Sequence, residues 1–349
     1  MTEILRRHAF SLSFVAILVA FVFMSGPGDG EILRLTGYTM GTTYDLQLVD
    51  VPGEQTPAAI SDTVDAMLAR LDRQIFSTYA ADSELSRLNR HPVNQPFAVS
   101  TEMIDVLLMA EEIATLTGGA FDVTVGPLVN LWGFGPDLRE APERVPGEDA
   151  IAAAATRVGH QYLQVDAASA RVTRTRDIEV DLSAIAKGYA VDKLGEYFDS
   201  LGMQAYFLEI GGELKMKGLK PGGDSWIPAI EAPEVSQTRI YEIFFSRGDT
   251  LAVAGSGDYR NYFEENGVRY SHEIDPRTGR PISHNLAAVY VVDDSAARAD
   301  ALATALMILG AEQGRELAEE HDFGAYFISK TATGFNDFYT EQFDYYLSN

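Results

Sequence analysis

The stretch Leu286–Leu309, LAAVYVVDDSAARADALATALMIL, changes character halfway along. Leu286 to Val292 is a continuous apolar run rich in β-branched and aromatic residues, which reads as a buried strand. Asp293-Asp294 ends it, Ser295 is a residue type that caps helices, and the alanine- and leucine-rich run to Leu309 then predicts a long helix. A further strand, Ala325 to Ile328, follows. Working outward, strands are expected at Ile32–Leu35, Thr42–Val49, Tyr162–Val165, Ile178–Val180 and Ala205–Ile210, with more between Trp226 and Val253. Helices are expected from Pro57 through Ile75, from Asp82-Ser83-Glu84, from Thr101 to Thr117, and after a Ser183 cap in DLSAIAKGYAVDKL. Pro142 to Gly147 reads as a surface connection. Strands and helices mix without regular alternation, which favours α+β over a doubly wound sheet.

The 349 residues contain 27 Lys and Arg against 51 Asp and Glu, a formal charge of −24. Such a field repels a phosphate backbone, so nucleic acid is not an expected partner. An anionic substrate would need a local device, either a metal ion or a few placed cations. The chain has no cysteine, which excludes disulfides, zinc–thiolate sites, iron–sulfur clusters and thiol catalysis. At the N-terminus, Arg6-Arg7 precede an apolar run from Ala9 to Met24 and the breaker-rich Ser25–Gly30. Residues 1–30 therefore read as an export signal or a membrane anchor, with cleavage and retention both open, and 31–349 as one compact exported unit.

Four groups of residues have the makings of chemistry. In Tyr270–Pro281, YSHEIDPRTGRP, the turn signals Asp275-Pro276 and Thr278-Gly279 place His272 at a strand edge. There it could move protons near neutral pH, or simply hydrogen-bond the backbone of a charged hairpin. Asp300 and Thr304 share a helix face, and a carboxylate with a hydroxyl suits magnesium; a solvated Asp beside a Thr bonded to its own helix is the other reading. Lys187 lies one turn into its helix, where an ammonium near free backbone N–H groups can bind an anion, or lie on the surface. Met40 between glycines, Tyr79, and Phe121 after Gly118-Gly119 sit at element ends and offer dispersion contacts to a planar ring; each is otherwise a core residue.

Taken together, MGTTY (Met40–Tyr44), FSTYAADSELSRLN, GGAFDVTVGP, DLSAIAKGYAVD, EIGGEL, SGDYRNYF, YSHEIDPRTGRP and DALATAL resemble the FAD:protein FMN transferase family, the ApbE family. The resemblance spans nearly everything from Gly37 to Ser329. It implies largely antiparallel mixed sheets with flanking helices, related to the T-fold. It also implies a magnesium-dependent periplasmic enzyme that splits FAD, links FMN through a phosphoester to a threonine in a motif of an acceptor protein, and releases AMP. By resemblance, Met40, Tyr79, Ala120, Phe121, Asp122 and Lys187 contact FAD. The Ala184 main-chain oxygen, Asp300 and Thr304 hold magnesium, and His272 is the catalytic base. Arg260, Arg269, Arg277 and Arg280 are candidates for added positive field or for surface roles. Two departures stand out: no N-terminal cysteine exists for a lipid anchor, and Gly255 replaces a threonine common in the family. The rival activities are an FAD pyrophosphatase with water as acceptor, and a flavin-binding protein without turnover.

Overall fold

The computed structural model describes residues 30–53, 55–135, 145–234, 239–259 and 261–347. The leader reading, the first half of the Pro142–Gly147 connection and Arg260 lie outside these residues. The main sheet has eight strands: β1 (Ile32–Thr39), β2 (Thr42–Val49), β3 (Tyr206–Ile210), β4 (Glu213–Lys217), β5 (Leu251–Gly257), β6 (Leu286–Asp293), β7 (Gly324–Thr331) and β8 (Gly334–Tyr339). Their spatial order is their chain order, and every neighbouring pair is antiparallel. The fold is therefore a meander into which the remaining chain is inserted, and α+β is correct.

Two tight turns bring strand ends to one rim. Met40-Gly41 joins β1 to β2 with φ of 48° and 75°, the doubly positive geometry that suits a two-residue hairpin. Gly211-Gly212 joins β3 to β4 in the same left-handed region. Between β2 and β3 lie α1 (Pro57–Ala69), a π-helical turn Arg70–Phe76, α2 (Thr101–Leu116) and α3 (Ala186–Ser200), with a small three-stranded sheet. Apolar residues at helical spacing explain α1, where Ile60, Val64 and Leu68 are buried and Thr56 caps the start.

Helix α4 (Ala296–Glu320) connects β6 to β7 and packs on β5, β6 and α3. Ser295 caps it as expected, its Oγ accepting from Arg298 N at 3.2 Å. The expected end at Leu309 corresponds to a break at Gly310 (φ 80°), after which the helix resumes. A Cβ at Gly310 would also lie 2.8 Å from the His284 ring. Strand β6 shows why its sequence is apolar throughout: Val289 and Val291 face the helices, while Ala288, Tyr290 and Val292 face a second core with Trp226, Phe244 and Phe343.

Two local expectations are corrected. Ile178–Val180 is extended chain with one parallel bridge, Glu179 to Val125, and not a strand. Ser183 does not cap α3. Its N–H donates to Asp181 Oδ1 at 2.8 Å, and the chain turns through Ile185 before the helix starts at Ala186.

Candidate active site

One cleft between α3, α4, the end of β5 and the segment around His272 is lined by Tyr79, Ala120, Phe121, Asp122, Ala184, Lys187, His272, Asp300 and Thr304. Met40, the remaining residue singled out by the sequence, lines an adjoining cleft with Gly41, Phe76 and Ser77. The two share a wall of Thr78, Tyr79, Asp181, Ser183 and Lys187. Tyr79 is 61% exposed where they meet.

The innermost wall is charged. Lys187, 8% exposed, sits with its Nζ 3.6 Å from Asp300 Oδ2 and 3.4 Å from Glu213 Oε1, and donates to Ser183 O at 3.0 Å. Burial works against the ammonium, but Asp300 and Glu213 outweigh it and hold its pKa at about 12. Burial raises Asp300 and raises Glu213 further, with Lys187 opposing in both. Lys187 is thus a buried counter-ion to two carboxylates, not a surface lysine. Glu213 is fully buried, and neither carboxylate oxygen has a hydrogen-bond partner within normal geometry.

The expected metal ligands converge here. Asp300 Oδ2 accepts from Gly188 N at 3.2 Å. Gly188 N is the donor that would ordinarily reach the carbonyl of Ala184 one turn back. With it turned to Asp300, no backbone N–H among the described residues bonds the Ala184 oxygen. Thr304 Oγ1 lies 3.3 Å from Ser256 Oγ, so the hydroxyl facing Thr304 comes from Ser256, next to the Gly255 departure. A carboxylate, a hydroxyl and an orphaned carbonyl are hard oxygen donors that fit magnesium. Among the described residues no three His, Asp or Glu side chains form a metal cage. An ion here would therefore keep positions for water or substrate oxygens.

His272 sits between two small hairpins, Tyr262–Glu265 with Val268–Ser271 and Ile274–Asp275 with Arg280–Pro281. Its Nδ1 is 3.0 Å from the Asn261 carbonyl. A carbonyl only accepts, so Nδ1 is the donor, and in the neutral tautomer this selects, Nε2 keeps the lone pair. Nε2 is 3.6 Å from Glu273 Oε1, beyond a hydrogen bond, and burial raises the Glu273 pKa. Phe134 meets the ring edge-on at 6.3 Å.

Other polar side chains are engaged with partners of their own. Asp122 accepts from Thr124 N, Thr124 Oγ1 and His160 N at 2.7–2.8 Å, so its carboxylate staples a loop. Arg277 forks onto Asp275, Arg280 pairs with Glu148, and the Arg269 guanidinium lies 3.7 Å from the Tyr262 ring centre. None of these three arginines lines either cleft. The sequence did not single out Asp181, Glu213, Ser256, Glu273 or Phe134 as site residues. Only Glu213 left a signal, as a carboxylate opening a strand directly after a glycine pair.

The family model of the ApbE family matches residues 40–327. The FAD:protein FMN transferase of Vibrio cholerae is 43% identical over 340 residues, covering 96% of this chain and 99% of the relative. That of Haemophilus influenzae is 39% identical over 326 residues, covering 92% and 93%. The structure of the flavin transferase ApbE from Vibrio cholerae superposes with a TM-score of 0.83 at 42% identity, over 91% of this chain and 100% of that one. The apo flavinyl transferase ApbE of Pseudomonas stutzeri gives 0.83 at 40% identity, over 93% and 99%. Matched along most of its length in sequence and in fold, the chain belongs to the ApbE family.

Proposed function

We propose that this protein is an FAD:protein FMN transferase that moves FMN from FAD to a threonine of an acceptor protein and releases AMP. The observation that carries the reading is His272: its Nδ1 is fixed on Asn261 O, and its ring lines the same cleft as Asp300 and Thr304. A binding protein needs no free imidazole lone pair beside a cation site.

FAD has two ring systems joined by a pyrophosphate, and two clefts sharing one wall suit such a shape. Met40, Phe76 and Tyr79 supply apolar and thioether surface in the outer cleft, while Ala120 and Phe121 wall the inner one. Ala184 O, Asp300 and Thr304 would hold magnesium, whose chemistry when bound is to offset pyrophosphate charge and ease departure of AMP. His272 Nε2 takes the threonine proton as the hydroxyl oxygen bonds to the FMN-side phosphorus and the pyrophosphate P–O bond breaks. The proton stays on the imidazolium, and the electron pair leaves with AMP. Asn261 O steadies the protonated ring through Nδ1.

The test is incubation of purified protein with FAD, magnesium and an acceptor carrying a candidate threonine, followed by in-gel flavin fluorescence after denaturation and mass analysis. A fluorescent acceptor with one added FMN is expected. Accumulation of free FMN at full rate with an unlabelled acceptor would make the protein a pyrophosphatase.

The proposal extends to the compartment. Arg6-Arg7 before the Ala9–Met24 run support export, with 31–349 working as the catalytic unit at the periplasmic face of the inner membrane. No helix among the described residues is long and apolar enough to cross a membrane. A reporter active only outside the cytoplasm, fused after Gly30, is expected to be active; an expressed but inactive fusion refutes export.

A further inference from the structure

Helices α3 and α4 hold each other by their first turns. Asp300, on α4, accepts from Gly188 N at the start of α3. The reciprocal contact uses a residue that lines neither cleft. Asp192, on α3, accepts through Oδ1 from Ala296 N at 3.0 Å and through Oδ2 from Ala297 N at 3.0 Å, both at the start of α4. The same carboxylate accepts from Ser295 Oγ at 2.7 Å and from Lys215 Nζ, on β4, at 2.6 Å. Four donors thus converge on one buried carboxylate. The arrangement satisfies orphan N–H groups of α4 and places negative charge at the positive end of its dipole.

The spacing links this clamp to the site. Gly188 and Asp192 lie four apart on α3, as do Ala296 and Asp300 on α4, so each pair occupies one helix face. The faces touch closely: a Cβ on Gly188 would lie 2.2 Å from Ala296 O. We infer that Asp192 is a positioning residue of the transfer site. By fixing the first turn of α4 against α3, it sets where Asp300 and Thr304 stand relative to Ala184 and Lys187. This inference rests on the magnesium-dependent transferase reading above.

The test uses the full chain with Asp192→Asn, which preserves shape but removes the charge and half of the acceptor capacity. Magnesium binding is measured by calorimetry, alongside kcat and KM for FAD in the acceptor assay and a urea midpoint. Outer partners of metal ligands typically govern affinity or activity by ~10- to 100-fold, so a weakening of that size is expected, together with a lower kcat. FAD affinity should change less than about 3-fold, since Asp192 lies outside both clefts. A folded variant with wild-type magnesium affinity and kcat, even at a lowered urea midpoint, overturns the inference, because a purely structural clamp would behave that way. If Asp192→Asn does not fold, Lys215→Met, which removes one donor of four, decides: a smaller loss of magnesium affinity supports the clamp, and none overturns it. Wild-type protein that takes up no magnesium would refute the metal reading instead. The clamp is then judged on whether kcat falls with KM for FAD unchanged, which supports it, or stays at wild type, which overturns it.

Discussion

The two halves of the candidate active site are built to different standards of rigidity. The Asp300 half stands on two long helices cross-capped by buried aspartates and closed by a buried Lys187–Glu213–Asp300 group. The His272 half hangs from two-stranded hairpins outside the main sheet, and isolated hairpins are marginal on their own. What holds them is an aromatic stack: Trp132 on Tyr270 at 5.7 Å, Tyr270 on Phe263 at 5.0 Å, and Phe263 beside Phe134 at 5.7 Å. The contrast suits the chemistry. Under the proposed function, a cation site depends on fixed oxygen positions, whereas a base that meets the hydroxyl of an acceptor protein has to lie near the surface.

The largest expected effect falls on the softer half. His272→Ala removes the lone pair and leaves the α3–α4 wall untouched. Transfer should fall ~10²- to 10⁴-fold while FAD and magnesium binding hold, measured by acceptor fluorescence and calorimetry. If magnesium affinity fell in parallel, the halves would not be separable and the comparison would fail.

Asp300→Asn probes the rigid half. A neutral amide is a poor ligand for a hard cation, and the change leaves Lys187 with Glu213 as its remaining carboxylate partner. Magnesium affinity should fall by at least the ~100-fold upper range for outer partners, with FAD affinity much less affected. Unchanged magnesium dependence of AMP release would remove Asp300 from the metal site.

The same contrast explains what the sequence made legible. Strand β6 and helix α4 were readable because an apolar run, a serine cap and a helix-compatible run are local signals; spacing put Asp300 and Thr304 on one helix face, but only the family resemblance favoured a metal site over a solvated pair. His272 was readable at a strand edge because Asp275-Pro276 and Thr278-Gly279 are local turn signals. Asp192 and Glu213 were not, since their partners are distant in sequence: Asp192 meets residues 295–297, and Glu213 meets Lys187 on the helix packed against its strand. Ser183 misled because Asp181, two residues earlier, captures its N–H and delays the helix. The helix beyond Gly310 was missed because a glycine with positive φ usually ends a helix, and here the chain resumes it.

The smallest effect should come from loosening the hairpins without touching the imidazole. Trp132 Nε1 donates to Gly279 O at 2.9 Å, tying the aromatic stack to the turn after His272. Trp132→Phe keeps a ring for Tyr270 but leaves that buried carbonyl without its donor, a cost of about 1–3 kcal/mol. Because the loss is local to the hairpins, magnesium and FAD affinities should stay at wild-type values. Transfer should slow by about 10-fold or less, consistent with that range if part of the cost appears as misplacement of His272 rather than as unfolding. Hydrogen exchange would read it directly, with faster exchange at 262–281 and no change at Gly188, Ala296 and Ala297. Equal loss of protection at both places would mean that the aromatic stack and the helix clamp form one cooperative unit, and the division between a rigid and a soft half would have to be abandoned.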